Sequence, residues 1–121
     1  QYAHPRVYSV NAQLTDKKLK HYAENGFQNL NLLTEKHETE LISKLDAYTD
    51  LLHKAAMNAE PHLLVHYLRE LANLLHSYYN PHHFIIDEKN LRDARFNLIN
   101  ATRQILHNGL TLLGVSAPVK M

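Results

Sequence analysis

Residues 61–78 read PHLLVHYLRELANLLHSY. Leu64, Tyr67, Leu68, Leu71, Leu74, Leu75 and Tyr78 recur at gaps of three and four, the spacing that lines one face of an α-helix. Pro61 suits the first helical position, where its missing N–H removes no hydrogen bond. Asn80-Pro81 stops the pattern, because the residue before a proline is pushed out of the α region. A stripe this long must be buried against other elements, and the rest of the chain supplies more helices.

Downstream, Asp87 is the expected cap of a second long helix. Leu91, Ala94, Leu98, Ala101, Ile105 and Leu112 form its expected buried stripe, helped by Phe96, Ile99, Leu106 and Leu113. Gly114 is placed just past its end and Pro118 prevents continuation. Upstream, Thr34 is the expected N-cap of a short helix carrying Leu41, Ile42 and Leu45, with Glu35 and Glu38 near the positive end of its dipole. A break over Asp46–Thr49 separates it from another short helix with Leu51, Leu52, Ala55 and Ala56, which ends near Asn58. Tyr2, Val7, Val10, Leu14 and Tyr22 give residues 2–24 helix-like spacing. Gly26 and the asparagines of Asn25–Asn31 tolerate left-handed backbone, so a loop is expected there. The expected fold is all-α, an antiparallel bundle of about five helices in one domain, residues 1–121.

Composition agrees. The chain is 45% hydrophobic and 21% charged, with only three Gly and four Pro, too few breakers for the many turns of an all-β fold. The absence of Cys excludes a disulfide scaffold and thiolate metal sites. No apolar run reaches the roughly 18 residues of a membrane span, and no signal peptide is visible. A cytoplasmic location is expected. The chain begins at Gln1 rather than Met and is read as a fragment whose upstream part is missing, with Met121 as a finished terminus.

Net charge is +1, but it is unevenly spread. Arg6, Lys17, Lys18 and Lys20 face only Asp16 in residues 1–23. Lys89, Arg92, Arg95, Arg103 and Lys120 face only Asp93 in residues 89–121. The middle of the chain is acidic. Two basic ends packed together would make one basic face for a polyanion; counted without a structure, a mixed solvated surface is the simpler reading.

Catalysis finds little support. No serine lies in a nucleophile elbow, and Gly26, Gly109 and Gly114 are too far apart for a phosphate loop. His62 and His66 share a helix face, yet no carboxylate is placed to complete a zinc site, and surface histidines beside the Leu stripe explain them better. His82-His83 reads as a loop pair. Tyr78-Tyr79 is more informative. Two adjacent rings at a helix end cannot both enter the core. The other either stacks on an unpaired base with cations holding phosphates, or lies at the bundle rim with its hydroxyl in water.

Three blocks carry a family resemblance. They are Gln1-Tyr2-Ala3-His4-Pro5-Arg6; Tyr67-Leu68-Arg69-Glu70-Leu71-Ala72 with His76-Ser77-Tyr78-Tyr79-Asn80; and Ala94-Arg95 with Gly109-Leu110 through Leu112-Leu113-Gly114-Val115, Ala117-Pro118 and Met121. In order and spacing they resemble the C-terminal anticodon-binding (DALR) domain of class I arginyl-tRNA synthetases. Pro5, Phe96 and Lys120 depart from the usual pattern, and residues 11–33 match least. The resemblance implies a helical bundle that recognises the anticodon of tRNA(Arg). It also implies an upstream catalytic domain that uses ATP with Mg²⁺ to ligate arginine to tRNA(Arg). This chain alone is then catalytically inactive and holds no cofactor or metal. The positions carried over as the anticodon site are Tyr2, His4, Arg6, Tyr79 and Met121, with Tyr2 and Tyr79 stacking on bases. Arg6 either contacts phosphate or is buried. Arg103 and Lys120 are secondary basic candidates, as is Arg95, unless it pairs inside the bundle with a carboxylate such as Glu70. The alternative is a helical protein–protein interaction module that uses the acidic middle segment and binds no RNA.

Overall fold

The computed structural model describes residues 21–79 and 86–116, with side chains through Gly114. Among the described residues five α-helices follow one another: α1 (Ala23–Gln28), α2 (Lys36–Asp46), α3 (Tyr48–Met57), α4 (Pro61–Tyr78) and α5 (Lys89–Ser116), with a 3₁₀ turn at Leu30–Leu32. Among the described residues there is no strand, as an all-α reading requires.

The α4 stripe behaves as its spacing dictates. Leu64, Tyr67, Leu68, Leu71, Leu75 and Tyr78 are buried, and Leu74 is half-buried against the same core. Helix α4 runs antiparallel to α5: Leu68 lies against Gly109, while Tyr78 and Arg95 meet on Glu38. It also runs antiparallel to α2, since Lys44 lies beside Tyr67 and Glu70 and Glu38 beside Tyr78. Leu41 of α2 and Phe96, Leu98 and Ile99 of α5 close the core.

Helix α5 departs from a one-sided stripe. Residues 92–99 are all buried, because α1 covers one side and α2 and α4 the other. Leu91 and Ile105 are only half-buried, and Ala101 and Leu112 are exposed. The helix begins at Lys89, and the Arg92 N–H bonds the Glu88 carbonyl, so Glu88 rather than Asp87 stands at the cap position. It runs on through Gly114 to Ser116. A helical glycine costs about 1 kcal/mol relative to alanine, which turns already packed upstream tolerate.

The expected loop at Asn25–Asn31 is instead α1 followed by the 3₁₀ turn. Tertiary contact overrides local preference here. The Asn25 amide donates to Asn90 Oδ1 and Asp93 Oδ2, both at 2.9 Å. Gly26 is buried, and a Cβ there would lie 2.5 Å from the Asp93 carbonyl oxygen and from Asn97 Nδ2. Gly26 is therefore needed for close approach, not for turning. The cap of α2 is Glu35, one residue beyond Thr34, and Glu38 Oε1 accepts the Glu35 N–H at 3.1 Å. This reciprocal contact three residues apart holds the start of the helix.

Between α3 and α4 the chain turns sharply at Ala59, whose φ is +53°. The Glu60 N–H bonds the Ala55 carbonyl at 2.9 Å and the Ala59 N–H bonds Ala56 at 3.3 Å. That pair of bonds is a Schellman cap, which normally places glycine at the left-handed position. A left-handed alanine carries steric cost that glycine does not. Ala59→Gly is therefore expected to stabilise the fold by about 0.5–1 kcal/mol, net of the added freedom of the unfolded chain. Gly26→Ala is expected to destabilise it by about 1–3 kcal/mol through overpacking against backbone. Urea unfolding of the two variants beside wild type measures both, and a Gly26→Ala chain as stable as wild type would contradict the close contact.

Candidate nucleic-acid interface

The C-terminal end of α4 divides the two adjacent tyrosines as their positions on the helix demand. The Tyr78 ring is buried, at 2% exposure. Tyr79 caps the helix in extended conformation, its N–H bonded to the Leu75 carbonyl at 2.9 Å, and its ring is half-buried at the edge of the core.

Against the Tyr78 hydroxyl lies the only carboxylate of α2 that is fully buried among the described residues. Glu38 is 0% exposed. Its Oε2 accepts the Tyr78 hydroxyl at 2.6 Å and Arg95 Nε at 2.7 Å, and its Oε1 accepts the Glu35 N–H. Buried charges persist only when paired and hydrogen-bonded, and Glu38 has donors from the start of α2, the end of α4 and the second turn of α5. Burial, reinforced by the bond to the Glu38 carboxylate, raises the Tyr78 hydroxyl well above the usual tyrosine range. Burial also pushes Tyr67 up to about 12, with Tyr48 beside it adding to the effect.

Arg95 thus pairs inside the bundle with a carboxylate, and that carboxylate is Glu38 and not the Glu70 named as an example. Glu70 lies on the outer face of α4, bonded to Lys44 at 2.7 Å, and that bond lowers its carboxyl below the usual range. Arg92 is also buried, donating to the Ile86 carbonyl at 2.8 Å. Arg103 is half-buried. Lys89 is exposed, its ammonium 4.3 Å from the centre of the Tyr22 ring. Much of the positive charge counted along residues 89–103 is therefore interior and does not form a surface field. Tyr2, His4, Arg6, Lys120 and Met121 lie outside the described residues, as do His82 and His83.

His62 and His66 share an exposed face, 3.3 Å from Glu60 and 3.6 Å from Glu70 respectively. Among the described residues, no three potential metal ligands come together. Two grooves of about 410 and 420 Å³ flank α4 and the end of α5, and aliphatic side chains line them, with Arg69 and Asn73 the polar residues of the first. Gly26 and Gly109 sit inside helices against Asn97 and Leu68, so neither belongs to a phosphate-binding loop. No helix among them is long and apolar enough to cross a membrane.

The family profile of the DALR anticodon binding domain matches residues 1–121. The chain belongs to this family. The DALR domain is 53% identical over 121 residues to an arginine–tRNA ligase of Coxiella burnetii, 52% to one of Thioalkalivibrio sulfidiphilus and 50% to one of Legionella pneumophila. Each match takes in 100% of this chain and only 20–21% of the relative, so the chain spans about a fifth of their length.

The Glu38 cluster yields two expected outcomes. Removing one partner of a buried ion pair strands the other, so Glu38→Ala should cost about 3–5 kcal/mol. Glu70→Ala, at an exposed pair, should cost about 0–1 kcal/mol. Denaturant unfolding of both separates them, and equal losses would refute the interior role of Glu38. The tyrosines set an alkaline limit. Their folded pKa values lie above their unfolded ones, so the stability they contribute is complete below about pH 10 and is lost as pH rises through the folded values. Tyr67 loses its share between pH 10 and about 12, and the share of Tyr78 continues to fall above that. A Tyr67→Phe, Tyr78→Phe chain should show a shallower decline above pH 10 in a thermal-melt series; an identical slope would exclude these hydroxyls as its source.

Proposed function

We propose that this domain recognises the anticodon of tRNA(Arg) as part of an arginine–tRNA ligase. The observation that carries the reading is the family match across residues 1–121, together with arginine–tRNA ligases about half identical over the whole chain. Because the chain covers about a fifth of those relatives, catalysis is assigned to a separate, upstream part of the protein. There ATP with Mg²⁺ supplies the activation of arginine. The DALR domain contributes binding, in the cytoplasm, and catalyses nothing alone.

Tyr79 is the described residue best suited to meet the RNA. It stands at a helix end, half-buried and beside the segment leading to α5, a setting in which an aromatic ring stacks on a splayed base. The resemblance adds Tyr2, His4, Arg6 and Met121 to the site, with Arg103 and Lys120 as secondary contacts to phosphate. Arg95 leaves this set, because its guanidinium serves Glu38.

A hairpin carrying the anticodon arm of tRNA(Arg) should bind the chain with an affinity that falls as salt rises, since phosphate contacts release counterions. Tyr79→Ala should weaken that binding by about 1–3 kcal/mol. Filter binding across a salt series measures both. Affinity indifferent to salt, or equal for the same stem with an unrelated loop, would remove the anticodon reading; unchanged affinity in Tyr79→Ala would remove Tyr79 alone.

A further inference from the structure

We infer that Glu38, Arg95 and the Tyr78 hydroxyl are positioning residues for anticodon-loop recognition: they lock the last turn of α4 and so fix where Tyr79 presents its ring. The inference rests on the anticodon reading above and deepens it.

Tyr79 follows Tyr78 by one peptide bond. Its backbone is extended, at φ −62° and ψ 115°, and its N–H is held by the Leu75 carbonyl. The point from which its side chain leaves the backbone therefore depends on how the last turn of α4 is rotated about the helix axis. Leu71 and Leu75 hold the turn by buried area, through dispersion contacts that are individually weak and non-directional. The Tyr78 hydroxyl is different. It donates to a carboxylate at 2.6 Å, a short charge-assisted bond with a narrow range of angles.

The acceptor is itself immobile. Glu38 Oε1 is tied to the Glu35 N–H on its own helix, and Oε2 receives Arg95 Nε from α5 at 2.7 Å. Three elements thus converge on the side chain of the residue that precedes Tyr79. Turning the last turn of α4 breaks a bond to a buried charge. Tyr67 provides the contrast. Its hydroxyl is also held, by the Lys44 carbonyl, but it lies three turns away at the middle of α4, where it steadies the helix without aiming its end.

The test compares Tyr78→Phe with Tyr67→Phe in the 121-residue chain. Both variants keep the ring in the core and lose one hydroxyl bond. Two readouts are taken: amide hydrogen exchange at Leu75–Tyr79, and the ratio of affinities for the anticodon-arm hairpin and the same stem with an unrelated loop. Tyr78→Phe should speed exchange at Tyr79 by about tenfold or more and lower the affinity ratio about tenfold, with binding of the unrelated-loop hairpin unchanged. Tyr67→Phe should lower Tm yet leave both readouts as in wild type. Arg95→Lys keeps the charge but loses the rigid guanidinium, and it should give the same ordering more weakly, which keeps the test open if Tyr78→Phe does not fold. Unchanged exchange at Tyr79 in Tyr78→Phe overturns the inference whatever the RNA does. Faster exchange with an unchanged affinity ratio, or equal effects from Tyr67→Phe, also overturns it. If wild type itself fails to distinguish the two hairpins, the anticodon reading falls, and the exchange data still decide whether Tyr78 holds the helix end.

Discussion

A carboxylate with no exposure to water has to be answered by the surrounding structure, and Glu38 imposes that requirement on three helices at once. An isolated ionised carboxyl in an apolar interior is far too costly to persist. The Glu35 N–H, the Tyr78 hydroxyl and Arg95 Nε must therefore arrive together. Each comes from a different element, so satisfying Glu38 fixes how far α4 slides along α2 and where α5 crosses both. The leucines of α4 stabilise the assembly through area. The Glu38 cluster selects one register among those the leucines would accept.

A second polar interface works differently. Helix α1 docks on α5 almost without apolar side chains. Asp93 accepts the Tyr22 N–H at 3.1 Å and the Asn25 amide, Asn97 donates to the Ala23 carbonyl at 2.7 Å, and His21 Nε2 lies 2.6 Å from Asn97 Oδ1. Such bonds need backbone at close range, which Gly26 permits. A helix of six residues is far below the length that is stable alone. Its helicity is therefore a product of this docking, and α5 is buried on both sides because of it.

Those two interfaces explain what sequence alone could and could not reveal. Helix α4 was legible because its burial is apolar and periodic from Leu64 to Tyr78. The start of α4 at Pro61, the end of α3 near Asn58 and the division of Tyr78 from Tyr79 followed from local rules. Helix α1 was not legible, since Asn25, Gly26 and Asn29 favour turns until Asp93 and Asn97 engage them. Glu38 was read only as a charge near the positive end of a helix dipole. A signal to the contrary was present: Glu38 stands three and four residues before Leu41 and Ile42, and seven before Leu45, so it lies on the apolar face of its own helix. Arg95, next to Ala94 and Phe96 within an otherwise buried run, was its natural partner. Of the candidate site, Tyr79 came into view through the resemblance and the helix-end position, while Tyr2, His4, Arg6, Lys120 and Met121 belong to segments outside the described residues.

The Glu38 cluster is hard to justify by stability alone. Replacing a buried ion pair by well-packed apolar groups of similar volume is often neutral or stabilising. Leu41, Leu71, Phe96 and Ile99, all fully or almost fully buried, show that this core accommodates such groups. What an apolar substitute lacks is direction. A leucine at position 38 would pack against Tyr78 over a range of rotations of the α4 end, whereas the carboxylate accepts its hydroxyl in one. Where the helix end carries no ligand, that difference is worth little. Where the next residue must meet the face of a base, angular precision is part of the binding energy, because stacking falls off as the planes tilt. The polar core and the aromatic helix end are in this sense one device, with Tyr78 turned inward so that Tyr79 is held at the rim.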